Sequence, residues 1–206
     1  RTCGTGCTGP GRRRWRRNGW PAGVGTDGAR ASAYSASYAR WRELRTKRAP
    51  CVLMVMVDDA TGRVWAEFFE EETTHASYDV FEGWVRRPGL PRSLYVDRDS
   101  IYRCEGTPSV ADQLAGREPQ TQFGRAMDGL GVKLILAHSP QAKGRVERMN
   151  GVLQDRLVKA LRLAAICDLE GANRFLEASF LPGFNRQFAR VAASPVDAHR
   201  AGPRNL

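Results

Sequence analysis

Cys51-Val-Leu-Met-Val-Met-Val57, followed by Asp58-Asp-Ala-Thr-Gly62 and then Arg63-Val-Trp-Ala-Glu-Phe-Phe69, is the stretch that decides the fold. An unbroken apolar run is what a strand covered on both faces requires. The Asp-Asp-Ala-Thr-Gly segment is turn chemistry. The return from Arg63 reads as a second strand, so residues 51–69 are predicted to form an antiparallel hairpin.

Outward from the hairpin the pattern alternates. A helix is expected from about Thr74, with Tyr78, Phe81, Trp84 and Val85 on its buried face and Pro88-Gly89 as its stop. Ser93–Val96 reads as a short strand ending at Asp97, and Glu105-Gly-Thr-Pro-Ser109 as a loop. Thr121 to Leu130 is expected to be helical through Phe123, Met127 and Leu130, and Lys133–Ala137 to be a strand. A long helix then begins, with Ser139 as N-cap and Pro140 as first helical residue. Val146, Met149, Leu153, Leu157, Leu161 and Ala164 recur on one face, and Lys143, Glu147, Asn150 and Gln154 on the neighbouring one. This order predicts an α/β sheet with one hairpin, and a strand is missing from its front.

The first fifty residues have a different character. They contain no Ile, Phe or Met, eight glycines, three tryptophans and the run Arg12-Arg13-Arg14-Trp15-Arg16-Arg17. So little apolar surface does not offset ordering entropy, and disorder is the default expectation. Only Ala31-Ser-Ala-Tyr-Ser-Ala-Ser-Tyr38 alternates as a strand would. From composition the segment reads equally as a natural basic arm or as out-of-frame translation of GC-rich DNA. The net charge of +10 belongs to it: residues 1–50 hold 12 of the 32 Lys and Arg and 2 of the 22 Asp and Glu, leaving 20 of each for the rest. A basic arm can bind phosphate through counterion release, but the remainder must argue for DNA on other grounds.

Several classes are excluded. No run of eighteen apolar residues suggests a membrane span, and no signal peptide is visible. Five scattered cysteines argue for free thiols, and Cys3 with Cys7 is too little for zinc. His75, His138 and His199 show no ligand spacing, and neither a nucleophilic triad nor a phosphate-cradling glycine loop occurs.

Two carboxylates stand out by position. Glu147 alone would be a solvated helix glutamate and Asp97 a turn former. However, Asp97 closes a buried strand at its carboxyl end, where open α/β sheets place their sites. Glu147 lies near the start of a helix whose polar stripe could face that strand end.

Asp97-Arg-Asp-Ser-Ile-Tyr102, followed by Ser139-Pro-Gln-Ala-Lys-Gly-Arg-Val-Glu-Arg-Met-Asn150, resembles the integrase catalytic core of bacterial insertion-sequence transposases, the ISNCY type most closely. Phe184-Asn-Arg-Gln-Phe-Ala-Arg190 with Ser194-Pro195 is similar to their closing segment, and Asp99 departs from a common glycine. The resemblance spans about Cys51 to His199. It implies an RNase H-like mixed sheet flanked by helices, with the central first strand missing or degenerate here. It implies Mg²⁺ (or Mn²⁺) chemistry, with two ions about 3.5–4 Å apart held by three carboxylates that drive DNA cleavage and strand transfer. Asp97 and Glu147 would be the second and third catalytic metal ligands, while Lys143, Arg145 and Asn150 would contact DNA. The resemblance further implies transposon-end and target DNA as partners, a homo-oligomer in an intact enzyme, no membrane, and a bacterial cytoplasmic, nucleoid-associated location.

The first catalytic Asp is not identified. By the resemblance it belongs on the strand before the hairpin, within Ala36–Leu44, where Glu43 is the only acid; Asp27 lies further ahead, and this absence favours the out-of-frame reading of the first fifty residues. Asp58 and Asp59 would complete a false triad, because antiparallel strands put their carboxyl ends at opposite edges of the sheet. The expected division is therefore a basic or out-of-frame segment 1–48, a catalytic core 49–167, and a C-terminal helical segment and tail 168–206. The expected function is that of a DDE transposase core, truncated or catalytically impaired as written. The alternative is a non-enzymatic DNA-binding remnant using the basic arm.

Overall fold

The structure is a computed structural model that describes residues 33–41 (as backbone), 51–96, 100–104, 106, 110–114, 116, 119–136, 140–194 and 196–203; side chains at 111–112 and 140–145 are also outside it. The strands are β1 (Ala33–Trp41), β2 (Cys51–Asp58), β3 (Val64–Phe69), β4 (Ser93–Val96) and β5 (Lys133–Leu136). The helices are α1 (Thr74–Val85), α2 (Val110–Leu114), α3 (Gln122–Gly129), α4 (Pro140–Leu163), α5 (Leu169–Phe175) and α6 (Leu181–Phe188), with a π-helical stretch Leu176–Phe180 joining the last two.

One five-stranded sheet runs in the order β3-β2-β1-β4-β5. β1 is antiparallel to β2 and parallel to β4, and β4 is parallel to β5. The predicted hairpin is present, with Val57 opposite Val64 and Val52 opposite Phe69. Every residue of β2 is buried, as its apolar run requires.

One expectation is corrected. The central strand is not missing: Ala33–Trp41, drawn from the segment 1–48, fills the middle of the sheet. Alternation of small and aromatic residues suits a pleated strand better than composition suggested. Of the two readings, missing or degenerate, the second stands, because Ala-Tyr-Ser-Ala-Ser-Tyr-Ala-Arg-Trp contains no acid.

α1 begins at Thr74, as expected, and Thr73 caps it, accepting from Ala76 N–H at 3.1 Å. Val80, Phe81, Trp84 and Val85 are buried, whereas Tyr78 is only partly so and stacks on Phe123. α1 packs on β2 and β3, and α4 packs on β1 and β2. The short helix α2 lay unread beyond the loop at Glu105–Ser109. Among the described residues no helix is long and apolar enough to cross a membrane.

The C-terminal elements pack onto the sheet. Asn173 of α5 and Asn185 of α6 each hold the backbone of β3, at Phe68 and Val64. The tail returns to form a bridge between Arg200 and Leu90, and Ala198 is buried beneath it.

Candidate active site

The candidate site centres on β1, which pairs with β4 and packs against α4. β4 is paired along both edges, with β1 and with β5, and Val96 at its end is buried. Two ladders therefore fix the point at which the chain passes to Asp97. Asp97, like Asp27, Glu43, His138 and Ser139, lies outside the described residues.

Glu147 is described. Val146, Leu153, Leu157 and Leu161 are all buried and form the α4 face that meets the sheet. Glu147 follows Val146 directly and is exposed, while Met149 and Asn150 are partly buried. Lys143 and Arg145 occupy helical positions on the first turns of α4. Lys143, Glu147 and Asn150 share one stripe by their spacing.

Tyr102, five residues beyond Asp97, is firmly anchored. Tyr102 is buried, its ring meets Phe123 edge-on at 5.3 Å, and its hydroxyl lies 3.1 Å from Ser77 Oγ. Ser77 Oγ in turn donates to the Thr73 carbonyl. Val96 before Asp97 and Tyr102 after it are thus both buried. Nothing in the apolar periodicity signalled this; only the aromatic at 102 in the quoted motif could have.

Asp58 does not join this site. It is buried, accepts from Ala60 N–H at 3.0 Å and from the Thr61 hydroxyl at 2.5 Å, and closes the hairpin turn. By register it is level with Tyr34 and hence with Leu94, near the start of β4 and two strands, about 10 Å, away. His75 is exposed, and His199 stacks on Trp84 and pairs with Asp197, far from metal-ligand geometry.

The described residues do not by themselves supply the donor set of a two-ion centre. Clustered carboxylates are needed to hold two hard cations. β1 brings none, and among the described residues no group of three or more His, Cys, Asp or Glu could hold a metal.

No family model matches the chain. Transposase y4bF of Sinorhizobium fredii is 41% identical over 168 residues, covering 81% of this chain and 35% of that protein. The transposase for insertion sequence IS1202 of Streptococcus pneumoniae is 36% identical over 159 residues, covering 75% and 33%. The chain is a relative of insertion-sequence transposases. It spans about a third of the length of these two relatives.

Solved structures agree on the fold of this transposase relative. The simian T-cell lymphotropic virus intasome in complex with PP2A regulatory subunit B56 gamma matches with a TM-score of 0.60 at 18% identity, over 85% of this chain and 56% of that one. The HTLV-2 integrase catalytic core in complex with magnesium, in a dimeric form, matches with a TM-score of 0.52 at 18% identity, over 70% and 81%. The fold is the RNase H-like integrase core.

Proposed function

We propose that this chain is the catalytic core of a DDE-type transposase, of the lineage that cleaves DNA and transfers strands, and that this copy is catalytically impaired. The observation that carries the reading is the place of β1, paired with β4 along one edge and packed against α4. The sheet order and the helix bearing Glu147 are in place, yet no acid occurs from Ala33 to Trp41. Asp97 and Glu147 are the remaining acids of the site. Lys143, Arg145 and Asn150 line the same end of α4 and would hold DNA phosphate or base edges. The chain's own residues thus retain the means to bind and orient DNA.

The magnesium-bound HTLV-2 core supports divalent-metal use in the wider fold, and its dimeric form supports a homo-oligomer. The test is nicking of a short labelled duplex in Mg²⁺ or Mn²⁺. The 206-residue chain is expected to leave the duplex intact, and strong metal-dependent nicking lost in Glu147→Gln would show the copy to be active.

The charge distribution favours a second reading, a DNA-binding remnant. Residues 1–32 alone hold seven arginines and one acid. Removing 1–48 would delete β1, so the informative truncation removes 1–32. Binding through the arm should weaken steeply with salt and vanish in that truncation; binding retained there belongs to α4.

A further inference from the structure

We infer that Ser37 occupies the position of the first metal-binding carboxylate, so that the defect of the site is one side chain on a strand that is otherwise formed. The inference rests on the transposase reading above, and the double register of β1 carries it. On one edge Ala33, Tyr34 and Ser35 pair with Ser93, Leu94 and Tyr95. One step further brings Ala36 level with Val96, the last residue of β4, and the next position of β1 is Ser37. On its other edge Ser37 pairs with Val55, in the middle of the buried strand β2. From Val96 the chain passes directly to Asp97, and α4, which carries Glu147, packs across β1 and β2.

Ser37 is therefore the β1 residue level with the position that follows Val96. Positions 36 and 38 belong to the other face of the sheet, since successive strand residues alternate. The other acids of this region lie off the strand: Asp27 precedes Ala33, and Glu43 follows Trp41, whose position is four residues, about 13 Å, beyond Ser37. A neutral hydroxyl supplies no charge to a hard cation. Restoring the charge at this one position should restore the ligand set.

The experiment uses the full chain and Mn²⁺ as probe, with free Mn²⁺ followed by electron paramagnetic resonance. Ser37→Asp is expected to bind Mn²⁺ roughly tenfold or more tightly than the parent, since affinity follows the charge count of the ligands. The gain should disappear on adding Glu147→Gln, and neither Ser37→Asn nor Ser35→Asp should show it. Circular dichroism guards against misfolding. If Ser37→Asp is unfolded in EDTA, Mn²⁺ should refold it, because metal binding is then linked to folding. A Ser37→Asp chain that stays unfolded in Mn²⁺ while Ser37→Asn folds would overturn the assignment. So would a folded Ser37→Asp chain without gain, while Asp97→Asn or Glu147→Gln weakens residual binding in the parent; the transposase reading would then survive. If Ser37→Asp gives no gain and neither parent variant changes Mn²⁺ binding, the reading of Asp97 and Glu147 as metal ligands falls with it.

Discussion

Asn185 grips Val64 by both of its peptide groups: the Val64 N–H donates to Asn185 Oδ1 at 2.8 Å, and Asn185 Nδ2 donates to the Val64 carbonyl at 2.9 Å. Asn173 does the same at Phe68, at 2.8 and 2.9 Å. β3 is the edge of the sheet, and these two amides stand in for the strand it lacks. Asn185→Ala or Asn173→Ala leaves a backbone donor and acceptor unpartnered, which should cost about 1–3 kcal/mol each. Urea unfolding measures the loss. The double variant should also show raised light scattering on warming, because an open edge recruits other chains.

Tyr102 and Ser77 form a buried polar contact. Tyr102→Phe keeps the ring on Phe123 and removes only the hydroxyl contact, which should cost about 1 kcal/mol. A double-mutant cycle with Ser77→Ala checks it. The double variant should lose less than the sum of the two single losses, since each already breaks the shared bond. Strict additivity would show that the contact contributes nothing.

Much of this was legible in the sequence, for identifiable reasons. The hairpin, β4, β5 and the buried face of α4 follow from apolar runs and helical spacing, signals that local sequence carries directly. β1 was harder to read, because Ala, Ser, Tyr and Arg are a poor advertisement for a central strand; its place is fixed by β2 and β4 on either side. The Asn185 clamp was also hidden: the residue lay in a motif quoted for resemblance, but its partner is 121 positions away. The polar stripe of Lys143, Glu147 and Asn150 on α4 was visible through periodicity, its proposed role only through the resemblance, and the position beside Val96 needed the register of two strand pairs.

Glu67 sets a pH dependence. Burial, followed by the nearby charges of Asp79 and Glu177, raises its pKa above the ordinary 4.5, while Arg87 pulls it down. Arg87 stacks over Trp65 and pairs with Glu177 at 2.5 Å, so its charge is shared. A carboxyl with a raised folded pKa holds its proton longer when folded than when unfolded. Stability is then lost as pH rises from 4.5 through the raised value. Glu67→Gln should raise Tm at pH 7 and lose this advantage below about pH 4, where the parent is protonated in both states. An equal Tm difference at both pH values would refute the electrostatic cause.

Gly89 and Gly62 both have positive φ, but only one is crowded. At Gly89, φ is +109° and an added Cβ would lie 2.5 Å from the Arg200 carbonyl oxygen, against the tail that bridges to Leu90. At Gly62, φ is +71° and nothing lies within 4 Å. Gly62→Ala should therefore cost only the left-handed penalty, about 1–2 kcal/mol. Gly89→Ala should cost more and should also release the tail, seen as faster proteolysis after Arg200. Equal losses at the two positions would mean that the tail yields freely.

The π-helical stretch explains how both asparagines reach one strand, and this supports a deletion test. In an uninterrupted α-helix, residues twelve apart such as Asn173 and Asn185 would lie about 120° apart around the axis. The wider turns of Leu176–Phe180 take up that drift and bring both amides to β3. Deleting the exposed Ala178 would leave the asparagines eleven apart, within about 20° of three full α-turns. The shortened helix should then become regular and keep both clamps. Inserting one alanine at the same place should instead turn Asn185 away and cost about as much as Asn185→Ala, about 1–3 kcal/mol. Urea unfolding of the two variants decides it: if deletion and insertion destabilise equally, the π stretch is not what aligns the clamps.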